Sequence, residues 1–196
     1  MNPKLLAPRT IKLETPNYIV RTLEAADATD GWREWMTDPT ALRHLNAKPR
    51  VLTDAEIHAY IARFDRMNAH LLGIFEKDTG DLVGIRTFYI DPKRNEFLVN
   101  VLVGESEARN KGARTETRNA TFRFFFEELG MQAGNCTVLA TNEPMMRLMA
   151  PNGWIHEGTT RNPAADGRST IEVHRFRLPR EIWKRKEIER TQAGTT

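Results

Sequence analysis

Seven consecutive residues, Arg109-Asn110-Lys111-Gly112-Ala113-Arg114-Thr115, hold the densest chemistry in this chain of 196 residues. They lie between an apolar run at residues 97–103 and a segment of helical periodicity from about 112 to 129. The first amides of a helix have no intrahelical acceptor and carry partial positive charge, so a helix start is suited to hold phosphate. Gly112 lets a ligand approach the backbone closely. Arg109, Lys111 and Arg114 add charge around it. A pyrophosphate-bearing cofactor is the natural occupant. A basic loop that only caps a helix carries the same residue types, and Arg-x-x-Gly alone is a common string.

Other reactive residue types offer less. The five histidines, His44, His58, His70, His156 and His174, have no metal-ligand spacing such as His-x-x-x-His, so no metal site is expected. Cys136 is the single cysteine. It sits in an apolar stretch, reads as a small buried hydrophobe rather than a nucleophile, and fits a reducing cytoplasm.

The elements that must position the loop follow from periodicity and punctuation. Residues 18–23 read as a strand, 25–36 as a short helix, and Pro39 suits a first helical position. Thr53 followed by Glu56 has capping-box spacing, and Ile57, Tyr60, Ile61 and Phe64 mark one face of the helix it opens. Residues 71–76 and 82–90 read as strands about an Asp-Thr-Gly-Asp turn. Residues 97–103 are apolar except for Asn100, as in a central strand buried on both faces. The helix after the loop carries an inner stripe of Ala113, Thr117, Ala120, Phe124 and Leu129, and Gly130 stops it. Its aromatic run, Phe122 and Phe124 to Phe126, is expected to pack in the core. A strand at 135–140 then implies a right-handed parallel crossover. A short helix at 144–149, strands at 154–158 and 170–178, and a tail helix from 179 to about 190 complete the chain. The class is mixed α/β, with antiparallel strands first and a parallel crossover later.

Composition bounds the function. Hydrophobic residues make up 40% and charged residues 28%, as in an ordinary globular domain. No apolar run reaches the roughly 20 residues of a membrane span, and the first ten residues contain no signal-like apolar region. The net charge is +3, and residues 175–190 carry seven basic and three acidic side chains. Such a tail reads first as a solvated helix face, with nucleic-acid binding the minor reading. The division expected is a flexible arm at 1–12, one domain at 13–178, and a basic helix and tail at 179–196.

Several short strings, in order, make the chain similar to a known family. Leu13-Glu14-Thr15, Val20-Arg21-Thr22-Leu23 and Ala26-Asp27-Ala28 resemble the opening strand and helix of the RimJ/RimL branch of the GCN5-related N-acetyltransferases (GNAT). Trp35-Met36-Thr37-Asp38-Pro39 resembles its next helical turn. Arg109-x-x-Gly112 with Thr115-Glu116 resembles the family's acetyl-CoA loop, and Asn142, Arg147-Leu148 and Gly153-Trp154 its downstream signature. The resemblance runs from about residue 13 to 178. It implies that acetyl-CoA enters where strands 97–103 and 135–140 splay, with the pantetheine arm on backbone groups near Val101 and Val103. It places the pyrophosphate on the amides of residues 110–115 and Asn142 on the far side. It also implies a primary amine as acceptor, with Trp32, Trp35 and Tyr60 on helices that wall the acceptor pocket in the family, although ordinary packing explains them as well. A homodimer is a further family-level expectation.

Three positions depart from the family pattern. Arg114 stands where a Gly or Ala is usual, and it either obstructs the phosphates or pairs with them. Leu98 stands where many relatives place a Glu, leaving Glu96 and Asn100, on the same strand face, as candidate catalytic residues that could orient a water. Met149 replaces the usual proton-donating Tyr. An acyl-CoA-binding sensor without catalysis is therefore the alternative to an acetyltransferase.

Overall fold

The computed structural model describes residues 2–5, 7–42, 44–104 and 111–193. Strands β1 (Lys12–Glu14), β2 (Tyr18–Thr22), β3 (Ala69–Glu76), β4 (Leu82–Asp91), β5 (Glu96–Val103), β6 (Ala133–Leu139), β7 (Ile155–Pro163) and β8 (Thr170–Pro179) form one sheet. The sheet is eight-stranded, in the order β1-β2-β3-β4-β5-β6-β8-β7. The β5–β6 pair is parallel, and the other neighbours are antiparallel. The mixed α/β class read from the sequence is the observed one.

Side-chain alternation divides the sheet into two working faces. Phe88 and Ile90 of β4 and Phe97 and Val99 of β5 join one core with Phe122, Phe125 and Phe126. Ile85 and Leu102 point the other way, into a core with Trp32, Trp35, Ile57 and Ile61. Helices cover each face. On the first lie α4 (Ala113–Arg123) with its π-helical extension Phe124–Glu128, α5 (Glu143–Met149) and α6 (Arg180–Ala193). On the second lie α1 (Asp30–Thr37) and α3 (Asp54–Ile61), with the short α2 (Pro39–Leu42) between them in sequence.

Local chemistry sets the helix ends. The helix expected at 25–36 is two pieces, a 3-10 turn at Ala25–Asp27 and then α1. Asp27 turns back to accept from the Glu24 amide and Arg21, Ala28 is extended, and Thr29 caps a new start by accepting from Trp32 N. The capping box at Thr53 and Glu56 is present as the spacing predicts. In the crossover helix Ala113, Thr117 and Leu129 of the expected inner stripe are buried, and Ala120 and Phe124 are not fully so. Thr121, Phe122, Phe125 and Phe126 are buried, while Phe124 is only partly so. The cause is the π turn, in which Leu129 N reaches back to Phe124 O and rotates the phenylalanine run.

Both ends of the chain engage the core. Leu5 and Ile11, within the stretch read as an arm, are buried. Trp183 of α6 is buried and stacks on Phe126 with ring centroids 4.9 Å apart. Lys184 and Arg185 of α6 are exposed and other basic side chains form ion pairs such as Arg190–Glu187 and Lys186–Glu189, while Arg190 also donates to Asn119 of α4 and Arg180 Nε is buried.

Candidate functional site: a splayed strand pair beside a helix start

The parallel pairing of β5 and β6 is short. It joins Glu96 to Ala133, Phe97 to Gly134 and Leu98 to Asn135, and among the described residues it goes no further. Each strand continues, β5 against β4 as far as Val103 and β6 against β8 as far as Leu139. The two therefore diverge into a notch. Along it, the β5 edge at residues 99–102 has no β6 ladder partner, and Val101 stands near its middle. An extended amide-bearing chain could pair with such an edge.

The closed end of the notch is fastened by side chains. Glu96 Oε1 accepts from Arg177 Nη2 at 2.9 Å, and its Oε2 accepts from Asn135 Nδ2 at 3.1 Å and lies 3.3 Å from Arg94 Nη2. One carboxylate thereby joins β5, β6 and β8. Burial alone would raise this carboxyl, but hydrogen bonds from Arg177 and Asn135 and the nearby cations bring it below the usual carboxylate range. Glu96 faces a cleft of about 400 Å³ shared with Arg94, Glu157 and Arg175. Asn100 faces a different one, of about 290 Å³, shared with Trp32, Tyr60 and Tyr89. The two residues read from the sequence as alternative candidates to orient a water thus line different clefts, although they share a strand face.

The open end meets the start of α4. Gly112 is the N-cap, with φ of 79°. A Cβ at Gly112 would meet no atom within 4 Å, so the space above it is open. Thr115 and Glu116 amides bond back to Gly112 O, and Ala113 is fully buried beneath. Lys111 Nζ lies 3.2 Å from Glu76 Oε1. Arg109 and Asn110 lie outside the described residues. Arg114 is half-buried, with Nη1 2.6 Å from Met145 Sδ, so its side chain runs from α4 toward α5. Burial lowers its pKa. Asn142, across the notch, caps α5 by accepting from Met145 N at 3.2 Å. Glu116 anchors the first turn of α4 by accepting from the Asn17 amide and side chain at 2.8 and 2.9 Å.

One residue here escapes sequence reading. Arg86 of β4 is 2% exposed and opposite Val101 in the sheet. Its guanidinium donates to Thr117 Oγ1 at 3.1 and 3.2 Å and to the Arg114 carbonyl. No carboxylate lies within ion-pair distance of it among the described residues. Burial, then the charges of Arg118 and Arg114, bring its pKa down to about 9. A buried cation under a helix start, with Arg114 and Arg118 nearby, concentrates positive potential at the open end of the notch. The signal in the sequence was a lone charge on the same strand parity as the buried Phe88 and Ile90.

The remaining candidates have structural places. Met149 is buried in the core and Cys136 is buried, with its thiol pushed up to about 12. Among the described residues no three His, Cys, Asp or Glu side chains gather as metal ligands.

Comparison with known proteins agrees with this geometry. The family model described as an acetyltransferase (GNAT) domain matches residues 17–155. The SPbeta prophage-derived uncharacterized N-acetyltransferase YokL of Bacillus subtilis (strain 168) is 37% identical over 86 residues, which is 44% of this chain and 48% of that protein. The match thus spans about half the length of that curated relative. A GCN5-related N-acetyltransferase from Brucella melitensis has a similar fold, with a TM-score of 0.75 at 18% identity over 90% of this chain and 82% of that one. Spermidine N-acetyltransferase from Vibrio cholerae, solved with CoA and spermine, gives 0.73 at 14% identity over 85% of this chain and 97% of that one. With the family model covering the notch, the helix start and both sheet faces, this chain belongs to the GNAT acetyltransferase family.

Proposed function

We propose that this protein is an acetyl-CoA-dependent N-acetyltransferase of the RimJ/RimL-like branch, transferring acetyl to a primary amine. The observation that carries the reading is the β5–β6 ladder, which stops at Leu98 and leaves the β5 edge running from the α4 start to the pocket at Asn100. The order and spacing of the sequence motifs support the branch.

In this reading the free amides of Ala113 and Arg114, with Lys111, Gly112, the Thr115 side chain, and Arg109 and Asn110 from outside the described residues, hold the pyrophosphate, the Thr115 amide being already bonded to Gly112 O. Val101 and Val103 present backbone to the pantetheine arm, and Asn142 borders it from α5. The amine nitrogen attacks the thioester carbonyl, the C–S bond breaks, and the thiolate takes up the proton that the nitrogen releases. A strand amide near Val101 stabilises the developing oxyanion. Alignment of the two reactants supplies much of the acceleration. Asn100 is the polar group of β5 at the acceptor, and Glu96 fastens the strands below. A cytoplasmic location and a homodimer belong to the same proposal; no described helix is long and apolar enough to cross a membrane.

Calorimetric titration with acetyl-CoA tests the donor site. Micromolar binding is expected in the wild type and its loss in Gly112→Trp, whose indole would fill the open space above the helix start. Unchanged affinity in that variant would sink the assignment. The buried Met149 in place of a proton donor favours a second reading, an acyl-CoA sensor. Binding without thiol release across an amine panel would select it.

A further inference from the structure

The pocket beside Asn100 carries information about the acceptor. It is about 290 Å³, at the small end of the roughly 300–1,000 Å³ typical of ligand sites. Trp32 and Met36 of α1, Tyr60 of α3 and Tyr89 of β4 give it largely apolar walls. Trp32 meets Tyr60 edge to face at 6.0 Å, and Tyr60 meets Phe64 at 5.3 Å, so the aromatic wall is held from behind.

Charge in the pocket is scarce and already committed. Among the described residues Glu56 is its single carboxylate. Glu56 Oε2 accepts from the Thr53 amide and hydroxyl at 2.9 and 3.0 Å, and Oε1 lies 3.4 Å from Arg50 Nη1. This carboxylate is a helix cap with a cation on its other oxygen. Arg50 itself lines the pocket, and the Arg63 guanidinium lies 5.9 Å from the Tyr60 ring centroid. Among the described residues, a ligand with several ammonium groups would meet arginines and no uncommitted carboxylate. Its additional charges would lose water without gaining a counterion.

One polar acceptor does face the space. Asn100 Nδ2 donates to Thr87 Oγ1 at 3.2 Å, which leaves Asn100 Oδ1 to take a hydrogen from a ligand. The Tyr60 hydroxyl, which burial keeps protonated with its pKa raised to about 12, can serve as a donor. Two neutral polar groups in apolar walls suit one nitrogen on an apolar body. Such walls also favour the uncharged form of an amine, and attack on a thioester requires that form.

We infer that the acceptor is a compact monoamine with an aromatic or branched apolar body, and that polyamines and aminoglycosides are poor ligands. The inference rests on the acetyltransferase reading and names the substrate class of its acceptor pocket. It separates this chain from its fold neighbour named for spermidine.

The test is calorimetry of 2-phenylethylamine and spermidine, each titrated into the full chain with and without saturating CoA. Phenylethylamine is expected to bind about tenfold tighter than spermidine, or better still. Leu45 lines the pocket and is 39% exposed, so Leu45→Asp can add a carboxylate without disturbing the core. That variant should shift the ratio about fivefold or more toward spermidine. Spermidine binding as tightly as phenylethylamine, no phenylethylamine binding, or an unchanged ratio in Leu45→Asp would each overturn the inference. Absence of CoA binding would instead remove the donor-site reading, because the amine preference is measured on the pocket itself.

Discussion

At the scale of single residues, much of the proposed donor site is positive charge held out of water. Arg86 lies under the first turn of α4 with like charges above it, and only hydroxyl and carbonyl oxygens accept from it. Its Thr117 partner is already satisfied, since Thr117 Oγ1 donates to Ala113 O at 2.6 Å. Removing the guanidinium therefore strands little. Replacing a buried ion by an apolar side chain of similar volume is often neutral or stabilising. Arg86→Met is expected to keep or raise the melting temperature of the ligand-free protein while weakening acetyl-CoA binding by about tenfold, the size of a lost charge-assisted contribution. Thermal melts beside calorimetry check it; a large drop in melting temperature with unchanged affinity would make Arg86 a strut instead. The sequence offered the loop at Gly112 as a candidate because a glycine among cations precedes a helical period, a pattern a plain helix cap shares, so that the ordered motifs around it and not the string singled it out. It did not disclose Arg86, because membership of the site depends on which strand faces α4, and that parity is set by pairing across the sheet.

Elements explain why the notch exists where it does. β5 and β6 must pair to make the crossover, yet must separate for a ligand chain to enter. Glu96 sits at the boundary and ties Asn135 of β6 and Arg177 of β8 to β5. Its position on β5 was legible, but its partners come from strands about forty and eighty residues away and no local pattern announces them. Glu96→Gln is expected to cost about 1–3 kcal/mol of stability, the range for a buried charged hydrogen-bond partner left unmatched. The turnover number should change by less than about threefold, well under the hundredfold or more expected on losing a general base. A collapse of turnover with unchanged stability would return Glu96 to the chemistry. The long elements were readable for different reasons: β4 and β5 as apolar runs buried over most of their length, and the crossover helix α4 from buried residues four apart, Ala113, Thr117 and Thr121. β7 was read too short, at 154–158 against Ile155–Pro163, because it is an edge strand largely exposed and has no apolar alternation to extend. The π turn was invisible for a related reason: four phenylalanines in five positions satisfy several helical phases equally, and only packing selects one.

For the whole molecule, two cores on opposite faces of one sheet make stability depend on groups buried far from the site. His70 of β3 is 1% exposed, packs edge-on to Phe125 at 5.9 Å, and has its Nε2 3.2 Å from the Met67 carbonyl. Burial depresses its pKa from 6.5 to about 4, against a smaller upward pull from the Met67 carbonyl. The folded chain therefore holds a neutral imidazole where the unfolded chain binds a proton. Between pH ~6.5 and about 4 the unfolded state carries more protons, so stability falls as the pH falls through this window and is fully present above it. A shift of this size corresponds to about 3 kcal/mol across the window, a large part of the reserve of a single domain. Carboxylates whose folded pKa is lowered, Asp27 and Glu96 among them, add their own losses at lower pH, as the pH drops below the unfolded carboxylate value of about 4 and through their folded ones. The histidine step thus comes first on acidification and stands apart from theirs. His70→Phe keeps an aromatic ring against Phe125 and removes the titration. Its unfolding free energy, from urea melts at half-unit intervals, should be nearly flat between pH ~6.5 and ~4.5, where the wild type slopes downward. A wild-type slope that survives the substitution would mean that another buried group drives the acid transition.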